Sequence, residues 1–281
     1  MIDLHTHSTI SDGTDSPTAL ISKAMAAGIT TLALTDHDTI GGWGEAVSVL
    51  RPGLDLVLGA EISCQTEDLI SVHMLGLLFD GTEPELQAMI DQTRENRIGR
   101  MQKIISRMNA AGIEITMAEV EGELAEGATL GRPHLADALV RKGIVASRDE
   151  AFADLLHNHS PHYVAHYSPS PEAAIAAIKK AGGVAVIAHP MASLRGRTIS
   201  IDSFRSLAEA GLDGIEIEHR DNSVEAHQLL RDIAREYDLV ETGSSDYHGN
   251  GKLNQLGECV TDPEQWLRLE ARANARRVVS R

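Results

Sequence analysis

The run Ile29-Thr30-Thr31-Leu32-Ala33-Leu34-Thr35, closed by Asp36-His37-Asp38, decides how the rest of the chain is read. An apolar, β-branched run bounded by Gly28 on one side and a polar triplet on the other reads as a buried strand. Upstream, residues 1–6 read as a short strand ending in polar residues. Ser16-Pro17 offers an N-cap and a first-turn proline for a helix that continues over 19–27 and is stopped by Gly28. Downstream, a helix near 43–50 and strands over 55–62 and 69–79 follow. The pattern changes after Gly81. Leu86, Met89, Ile90, Ile98, Met101, Ile104, Ile105 and Met108 recur at helical spacing over 84–111, and shorter helices are predicted over 117–125, 134–142 and 147–156. Alternation resumes with Ser170-Pro171-Glu172 opening a helix to Ala181, a strand over 184–188 that ends in His189-Pro190, a helix over 202–210 and a strand over 214–218. A helix over 223–237 and a strand over 239–242 then lead into Gly243-Ser244-Ser245-Asp246-Tyr247-His248. Parallel strand–helix repetition predicts an α/β fold, either a barrel or a doubly wound sheet. Residues 1–81 and 166–281 would form it, with 82–165 inserted as a helical, substrate-capping domain.

Bulk properties narrow the function. A chain of 281 residues has room for one large α/β domain, or a core with a smaller insert. The formal net charge of −16 argues against a surface built to hold long duplex nucleic acid, which needs a basic footprint. It leaves room for a small phosphorylated substrate, because bound cations invert the local potential. An aromatic share of 3% leaves few rings for stacking on a run of bases. No membrane span or signal peptide is read, and two cysteines, Cys64 and Cys259, make a disulfide framework unexpected. Cytoplasmic location is the resulting expectation. Oligomeric state is left open.

His5, His7, His37, Glu61, His189, Asp246 and His248 all fall at or just past the ends of predicted strands, the face where a parallel α/β barrel assembles its active site. His5-Thr6-His7 has i, i+2 spacing, which on a strand points both imidazoles to one side, and Asp246-Tyr247-His248 repeats it. Two imidazoles with a carboxylate nearby suit a divalent cation. Taken singly these motifs are weak: Asp12 in Ser11-Asp12-Gly13 is also ordinary turn chemistry, and Asp36 and Asp38 could cap a helix. The combination points to a shared cation cluster.

In order along the chain, His5-Thr6-His7-Ser8, Ser11-Asp12-Gly13, Leu34-Thr35-Asp36-His37-Asp38-Thr39, Gly59-Ala60-Glu61-Ile62-Ser63, His73, Ala188-His189-Pro190 and Gly243-Ser244-Ser245-Asp246-Tyr247-His248-Gly249 resemble the successive motifs of the polymerase and histidinol phosphatase (PHP) family. The resemblance implies a distorted (β/α)7 barrel with a trinuclear metal centre. It would place one ion on His5, His7, Glu61 and Asp246, a second on Asp12, His37 and His248, and a third on His73 and His189 with Glu61 bridging. Two or three divalent ions are expected, Mn first, with Fe, Zn or Mg as alternatives. Some family members carry His where this chain has Asp12, and an oxygen ligand there shifts preference toward Mn or Mg.

Clustered cations activate a water and clamp phosphoryl oxygens, so the expected chemistry is hydrolysis of a phosphomonoester by metal-bound hydroxide without a Ser or Cys nucleophile. Arg132 and His134, in Gly131-Arg132-Pro133-His134, are candidate catalytic and substrate-binding residues. The guanidinium could fork onto phosphate, although Arg132 could equally be the flank of a helix begun by Pro133. Arg195 or Arg197 could bind a second phosphate or line a solvated loop. His219, at a strand end, could protonate the leaving oxygen or support the ligands. The loose group His157, His159, His162 and His166 is assigned mainly to the surface and to packing of the insert. The helical insert and its Arg-Pro-His stretch resemble the members that act on nucleotides, which implies removal of the 3′-phosphate of a nucleoside 3′,5′-bisphosphate. Histidinol phosphatase, 5′-3′ trimming of short RNA and a non-catalytic accessory module are the alternatives.

Overall fold

The computed structural model describes residues 1–165, 167–193 and 196–281. Seven strands, β1 (Ile2–Asp3), β2 (Thr31–Leu34), β3 (Asp55–Gln65), β4 (Ser71–Leu77), β5 (Val184–Ala188), β6 (Gly214–Glu218) and β7 (Val240–Gly243), form one sheet in sequence order. Its two edges approach past the strand ends, where Thr6 bridges Tyr247 and the His7 N–H donates to the Tyr247 carbonyl at 2.9 Å. The sheet is therefore nearly closed into a barrel.

The strands are not all parallel. β1, β2 and β3 pair in parallel, as do β5, β6 and β7, but β4 runs antiparallel to both β3 and β5. The cause is local: the few residues between Gln65 and Ser71 suffice for a hairpin, whereas a parallel return needs a crossover of a dozen or more residues. Gly59 sits in this hairpin because a Cβ there would lie 2.7 Å from the Gly76 carbonyl oxygen.

Ten helices among the described residues accompany the sheet: α1 (Pro17–Ala26), α2 (Trp43–Val49), α3 (Pro84–Ala110), α4 (Met117–Glu121), α5 (Arg132–Arg141), α6 (Arg148–Asp154), α7 (Pro171–Lys180), α8 (Ser203–Glu209), α9 (Val224–Glu236) and α10 (Pro263–Glu270). Their starts follow from capping chemistry. Ser16, Ser170 and Ser223 each accept a hydrogen bond from the third residue on, and Pro17 and Pro171 occupy the first turn, where no N–H is needed. α7 packs on β4 and β5, α9 on β6, and α10 on β7.

Alternation along the strands sorts the core into two faces. Leu32, Leu34, Leu56, Leu58, Met74, Ile187, Ile215 and Ile217 point outward to Leu20, Ile21, Ile175, Ile178 and Leu230 of the helices. Ala33, Val57, Leu75, Leu77, Val186, Ala188 and Val240 fill the interior. A separate cluster joins Met101, Ile104, Ile105 and Met108 of α3 to Val120, Leu135, Leu139, Ala151 and Leu156 from α4 to α6 and the turn after it. No helix among the described residues is long and apolar enough to cross a membrane.

Candidate metal centre

The inward parity that fills the barrel with Val57 also directs Glu61 inward, four residues further along β3. β2 stops pairing at Leu34, so β3 overshoots its neighbour and carries Glu61 up beside His37, which it meets in a lone bridge. Glu61 is thus in mid-strand, not at a strand end as its sequence position suggested. His73 shares the parity of Leu75 and Leu77. It lies near the start of β4, and because β4 is reversed, that start is on the same rim as the ends of the other strands. His5 and His7 follow the two-residue β1, while His189 and Asp246 follow β5 and β7 in left-handed backbone (φ 31° and 51°). Left-handed conformations at non-glycine residues cost on the order of 1–3 kcal/mol and persist where surrounding structure over-determines them.

All nine of the expected ligands come together. Glu61 Oε2 lies 3.2 Å from His5 Nε2, 3.1 Å from His7 Nε2 and 3.1 Å from His37 Nδ1. Its other oxygen lies 2.7 Å from His73 Nδ1 and 3.4 Å from His189 Nε2. Asp246 Oδ1 is 3.4 Å from both His5 Nε2 and His7 Nε2. Asp12 faces His248 Nε2 at 3.2 Å and His37 Nε2 at 3.7 Å. Four groupings have ligand atoms within 4.8 Å of one another: His5, His7, Glu61 and Asp246; His7, Asp12, His37 and His248; His37, Glu61 and His73; and His5, His189 and Glu216.

Several of these atoms are buried yet make no hydrogen bond, namely His37 Nδ1, both Glu61 oxygens, His73 Nδ1 and His248 Nε2. Donors and acceptors that approach within hydrogen-bond distance without aligning are aimed at a common point instead of at each other, which is how ligands stand around a cation. The donor set is imidazole and carboxylate with no thiolate, which suits Mn, Fe, Zn or Mg.

Charge follows the same geometry. Burial alone would raise the Glu61 carboxyl, but His37, His73 and His5 hold it well below the usual carboxylate range. Burial likewise opposes ionisation of Asp12, and His248 and His37 overcome it. For His5, burial is outweighed by Glu61, Glu216 and Asp246, which hold the imidazole well above its ordinary value. For His7, burial is outweighed by Asp246 and Glu61, and its pKa stands at about 9. Burial wins at His37, and at His248, where Lys252 and His7 push the pKa further down to about 4. Protons and cations therefore compete for the same lone pairs.

A layer not anticipated from sequence supports the ligands. Glu216 Oε1 is 3.1 Å from His5 Nδ1, and its Oε2 accepts the His189 N–H at 2.8 Å, so this buried carboxylate orients two candidate ligands at once. Its signal was present: in Gly214-Ile215-Glu216-Ile217-Glu218 the isoleucines face the helices, so Glu216 must face inward. Asp36 accepts from Ser8 N–H at 2.7 Å, Ser8 Oγ at 2.7 Å and Ser11 Oγ at 2.7 Å, shaping the loop that presents Asp12. Gly13 closes that loop, since a Cβ would fall 2.6 Å from the His7 carbonyl oxygen. Asp38 accepts from Ser63 N–H at 2.8 Å and from Arg97 Nη2 at 2.6 Å. Lys252 Nζ donates to Asp246 Oδ2 at 2.9 Å.

The remaining expected residues divide. His219 is buried, with Nδ1 accepting the Asp221 N–H at 3.1 Å, which leaves its proton on Nε2, 3.6 Å from Asp246 Oδ2. His134 Nδ1 accepts the Gly131 N–H at 3.0 Å, capping α5, and the ring also hydrogen-bonds the Ser11 backbone. Arg132 Nη1 donates to the Leu156 carbonyl at 2.7 Å and to Asn158 Oδ1 at 2.9 Å. Arg197 is exposed and donates to the Asp68 carbonyl in the β3–β4 loop. Arg195 and His166 lie outside the described residues. His157 and His159 pair loosely, ring centroids 6.4 Å apart, and His162 is buried.

A PHP domain model matches residues 3–142. A 5′-3′ exoribonuclease of Haemophilus influenzae is 36% identical over 251 residues, covering 88% of this chain and 89% of that protein. A 3′,5′-nucleoside bisphosphate phosphatase of Chromobacterium violaceum is 35% identical over 277 residues, covering 96% of this chain and 97% of that protein. The crystal structure of a proposed metal-dependent phosphoesterase from Bifidobacterium adolescentis superposes with a TM-score of 0.91 at 39% identity, covering 97% of this chain and 96% of that one.

Proposed function

The chain belongs to the PHP family of metal-dependent phosphoesterases, and from that premise we propose that it removes the 3′-phosphate of nucleoside 3′,5′-bisphosphates. The observation that carries the choice of substrate is similarity to the C. violaceum phosphatase along nearly the full length of both chains. The net charge of −16 favours a small anion held at cations over a long polymer. The H. influenzae relative keeps short RNA as the second reading.

The ligand sets proposed are His5, His7, Glu61 and Asp246; Asp12, His37 and His248; and His73 and His189 with Glu61 shared; close groupings of donor atoms support the first two, and for the third the approach of Glu61 Oε1 to both His73 and His189 is the support. Bound divalent cations, Mn first, would supply an activated water and neutralise charge building on the phosphoryl oxygens. Glu216 keeps the proton of His5 on Nδ1, so that Nε2 faces the ligand cluster with its lone pair. His219 would donate a hydrogen bond from Nε2–H, 3.6 Å from Asp246 Oδ2, to the departing oxygen; with Nδ1 accepting the Asp221 N–H the ring is neutral, so it would orient that oxygen without surrendering the proton. His134 positions Asp12 through Ser11 rather than touching phosphate. Residues 82–165 cap the site, tied to its rim by Arg97 on Asp38 and by Arg148 Nη1 on the Asp12 carbonyl at 3.3 Å. Arg197 is given no role in binding the phosphate.

Phosphate release from adenosine 3′,5′-bisphosphate, 5′-AMP, histidinol phosphate and a short 5′-phosphorylated RNA, each with added Mn, tests this reading. The bisphosphate is expected to have the highest kcat/KM, and faster turnover of histidinol phosphate or RNA would overturn it.

A further inference from the structure

Asp246 divides its two carboxylate oxygens between different neighbours. Oδ1 lies 3.4 Å from both His5 Nε2 and His7 Nε2, within the ligand cluster. Oδ2 instead meets Lys252 Nζ at 2.9 Å and His219 Nε2 at 3.6 Å. Two donors thus converge on one oxygen at the edge of the centre. His219 is neutral there, with Nδ1 taken by the Asp221 N–H, so Lys252 is the member of the pair that brings positive charge.

The chain fixes Lys252 from both sides. A short turn, Gly249–Gly251, follows His248, with Gly249 in left-handed backbone (φ 65°), and a side chain at Gly249 or Gly251 would collide with Thr14 Oγ1 or Arg148 Nη1. Before the lysine, the Asn250 N–H donates to Thr14 Oγ1 at 2.7 Å. After it, the buried Asn254 donates through Nδ2 to the Ser245 carbonyl at 2.7 Å. Between these anchors the lysine side chain reaches Asp246 yet stays 32% exposed, so it is not sealed from an incoming molecule. An ammonium has three N–H donors and no acceptor. Among the described residues Lys252 spends one of them, on Asp246, whereas Arg97 and Arg148 are committed to Asp38 and Asp137.

Phosphoester hydrolysis needs help at two oxygens. Activation of a water serves the attacking one, but the departing alcohol oxygen also gathers negative charge as its bond to phosphorus lengthens. We propose that Lys252 is a catalytic residue that donates, beside His219, to the departing oxygen and offsets the charge gathering on it. The bond from the water oxygen to phosphorus forms while the bond from phosphorus to the alcohol oxygen breaks. The water gives up one proton, the alcohol oxygen gains one by way of solvent, and Lys252 stays an ammonium throughout. Because this hydrogen bond strengthens only on the way to the transition state, it raises kcat instead of tightening substrate binding. The proposal deepens the phosphatase reading above and rests on it for phosphoester cleavage, but on no particular alcohol.

Two measurements test it. In the first, kcat is compared for adenosine 3′,5′-bisphosphate and p-nitrophenyl phosphate in the wild type, Lys252→Met and Lys252→Arg, at saturating Mn so that cation loss is not a cause. A ribose oxygen leaves poorly without a donor, whereas nitrophenolate leaves unaided. Lys252→Met should lose about 10- to 100-fold in kcat on the nucleotide, the equivalent of roughly 1.5–3 kcal/mol, and change little on the aryl ester. Lys252→Arg, which keeps the charge, should recover part of the loss. Equal losses on both esters, or none on the nucleotide, would overturn the proposal. If the bisphosphate is not turned over, the nucleotide reading falls, and histidinol phosphate replaces it as the alkyl ester in the same comparison. In the second, calorimetry follows inorganic phosphate and orthovanadate binding to the Mn-loaded protein. Vanadate imitates five-coordinate phosphorus with an oxygen in the departing position, so Lys252→Met should weaken it by about 10- to 100-fold and phosphate far less. Equal weakening of the two anions, or unchanged vanadate affinity, would overturn the assignment of Lys252 to the departing oxygen.

Discussion

Replacing Glu216 by Gln changes one atom in a buried strand and tests how the centre is wired. The carboxylate now serves two donors, His5 Nδ1 at 3.1 Å and the His189 N–H at 2.8 Å. A carboxamide has a single acceptor oxygen. If that oxygen stays with the fixed backbone N–H of His189, the amide NH2 meets His5 Nδ1, which must then accept. The His5 proton moves to Nε2, the nitrogen that stands 3.0 Å from His7 Nε2 and 3.2 Å from Glu61 Oε2. A ligand lone pair is replaced by a proton pointing into the cluster. Losing the charged bond costs about 1.5–3 kcal/mol of stability. Second-layer changes of this kind lower metal affinity by roughly 10- to 100-fold. The assay is competition against a chelator for the dissociation constant, with kcat read against Mn concentration. Activity should return toward the wild-type value as Mn is raised, because the remaining ligands are intact. Wild-type affinity in Glu216→Gln would refute the argument that Glu216 sets the tautomer of His5.

Four further outcomes follow. Glu61→Gln removes the carboxylate that touches five imidazoles; a unit-charge interaction at this range is worth about 4 kcal/mol near an effective dielectric of 20, so cation content measured after dialysis should drop by roughly a thousandfold in affinity along with the rate. Retained wild-type content would remove Glu61 from the bridging role. In the cation-free protein, His7 titrates at about 9 against 6.5 when unfolded, so its contribution, roughly 3 kcal/mol, is fully present below pH 6.5 and lost as pH rises through 9. Cation affinity should run the other way, rising by at least about tenfold per pH unit between 7 and 9 as protons are displaced, and a flat chelator-competition profile over that span would contradict this. Lys252→Met should raise cation affinity several-fold, since the ammonium occupies Asp246 Oδ2 at 2.9 Å, and calorimetric titration with Mn reads the change. Arg97→Met leaves Asp38 buried without its partner at a cost of about 3–5 kcal/mol, expected as a fall in melting temperature on the order of 10 °C.

Much of the fold was legible because its signals are local. Ser16-Pro17 and Ser170-Pro171 start helices where capping chemistry says they should, and the 84–111 periodicity became α3 almost to its ends. Strand direction was read less well. The sheet was expected to be parallel, and the shortness of the 66–70 connection, which forbids a crossover, was the signal that β4 turns back. α10 was not read at all, although Asp262-Pro263 caps it. The nine candidate ligand positions were visible as His and carboxylate at recurring places, whereas Glu216 looked like one of two ordinary acids in an alternating strand.

What the sequence determined by itself is the set of groups: which residues carry imidazole and carboxylate, and that barrel-like repetition would bring them to one rim. Only the tertiary structure decided which atoms face one another. The reversal of β4 puts His73 on the rim, the overshoot of β3 places Glu61 among five imidazoles, and strand parity turns Glu216 onto His5. The meeting of Arg132 of α5 with Arg100 of α3 over the ring of Tyr163 was equally out of reach, because the two arginines come from different helices. The physical reason is range. Capping and periodicity act within a few residues, while ligation and charge balance act across a few ångströms between segments more than two hundred residues apart, as with His5 and Glu216.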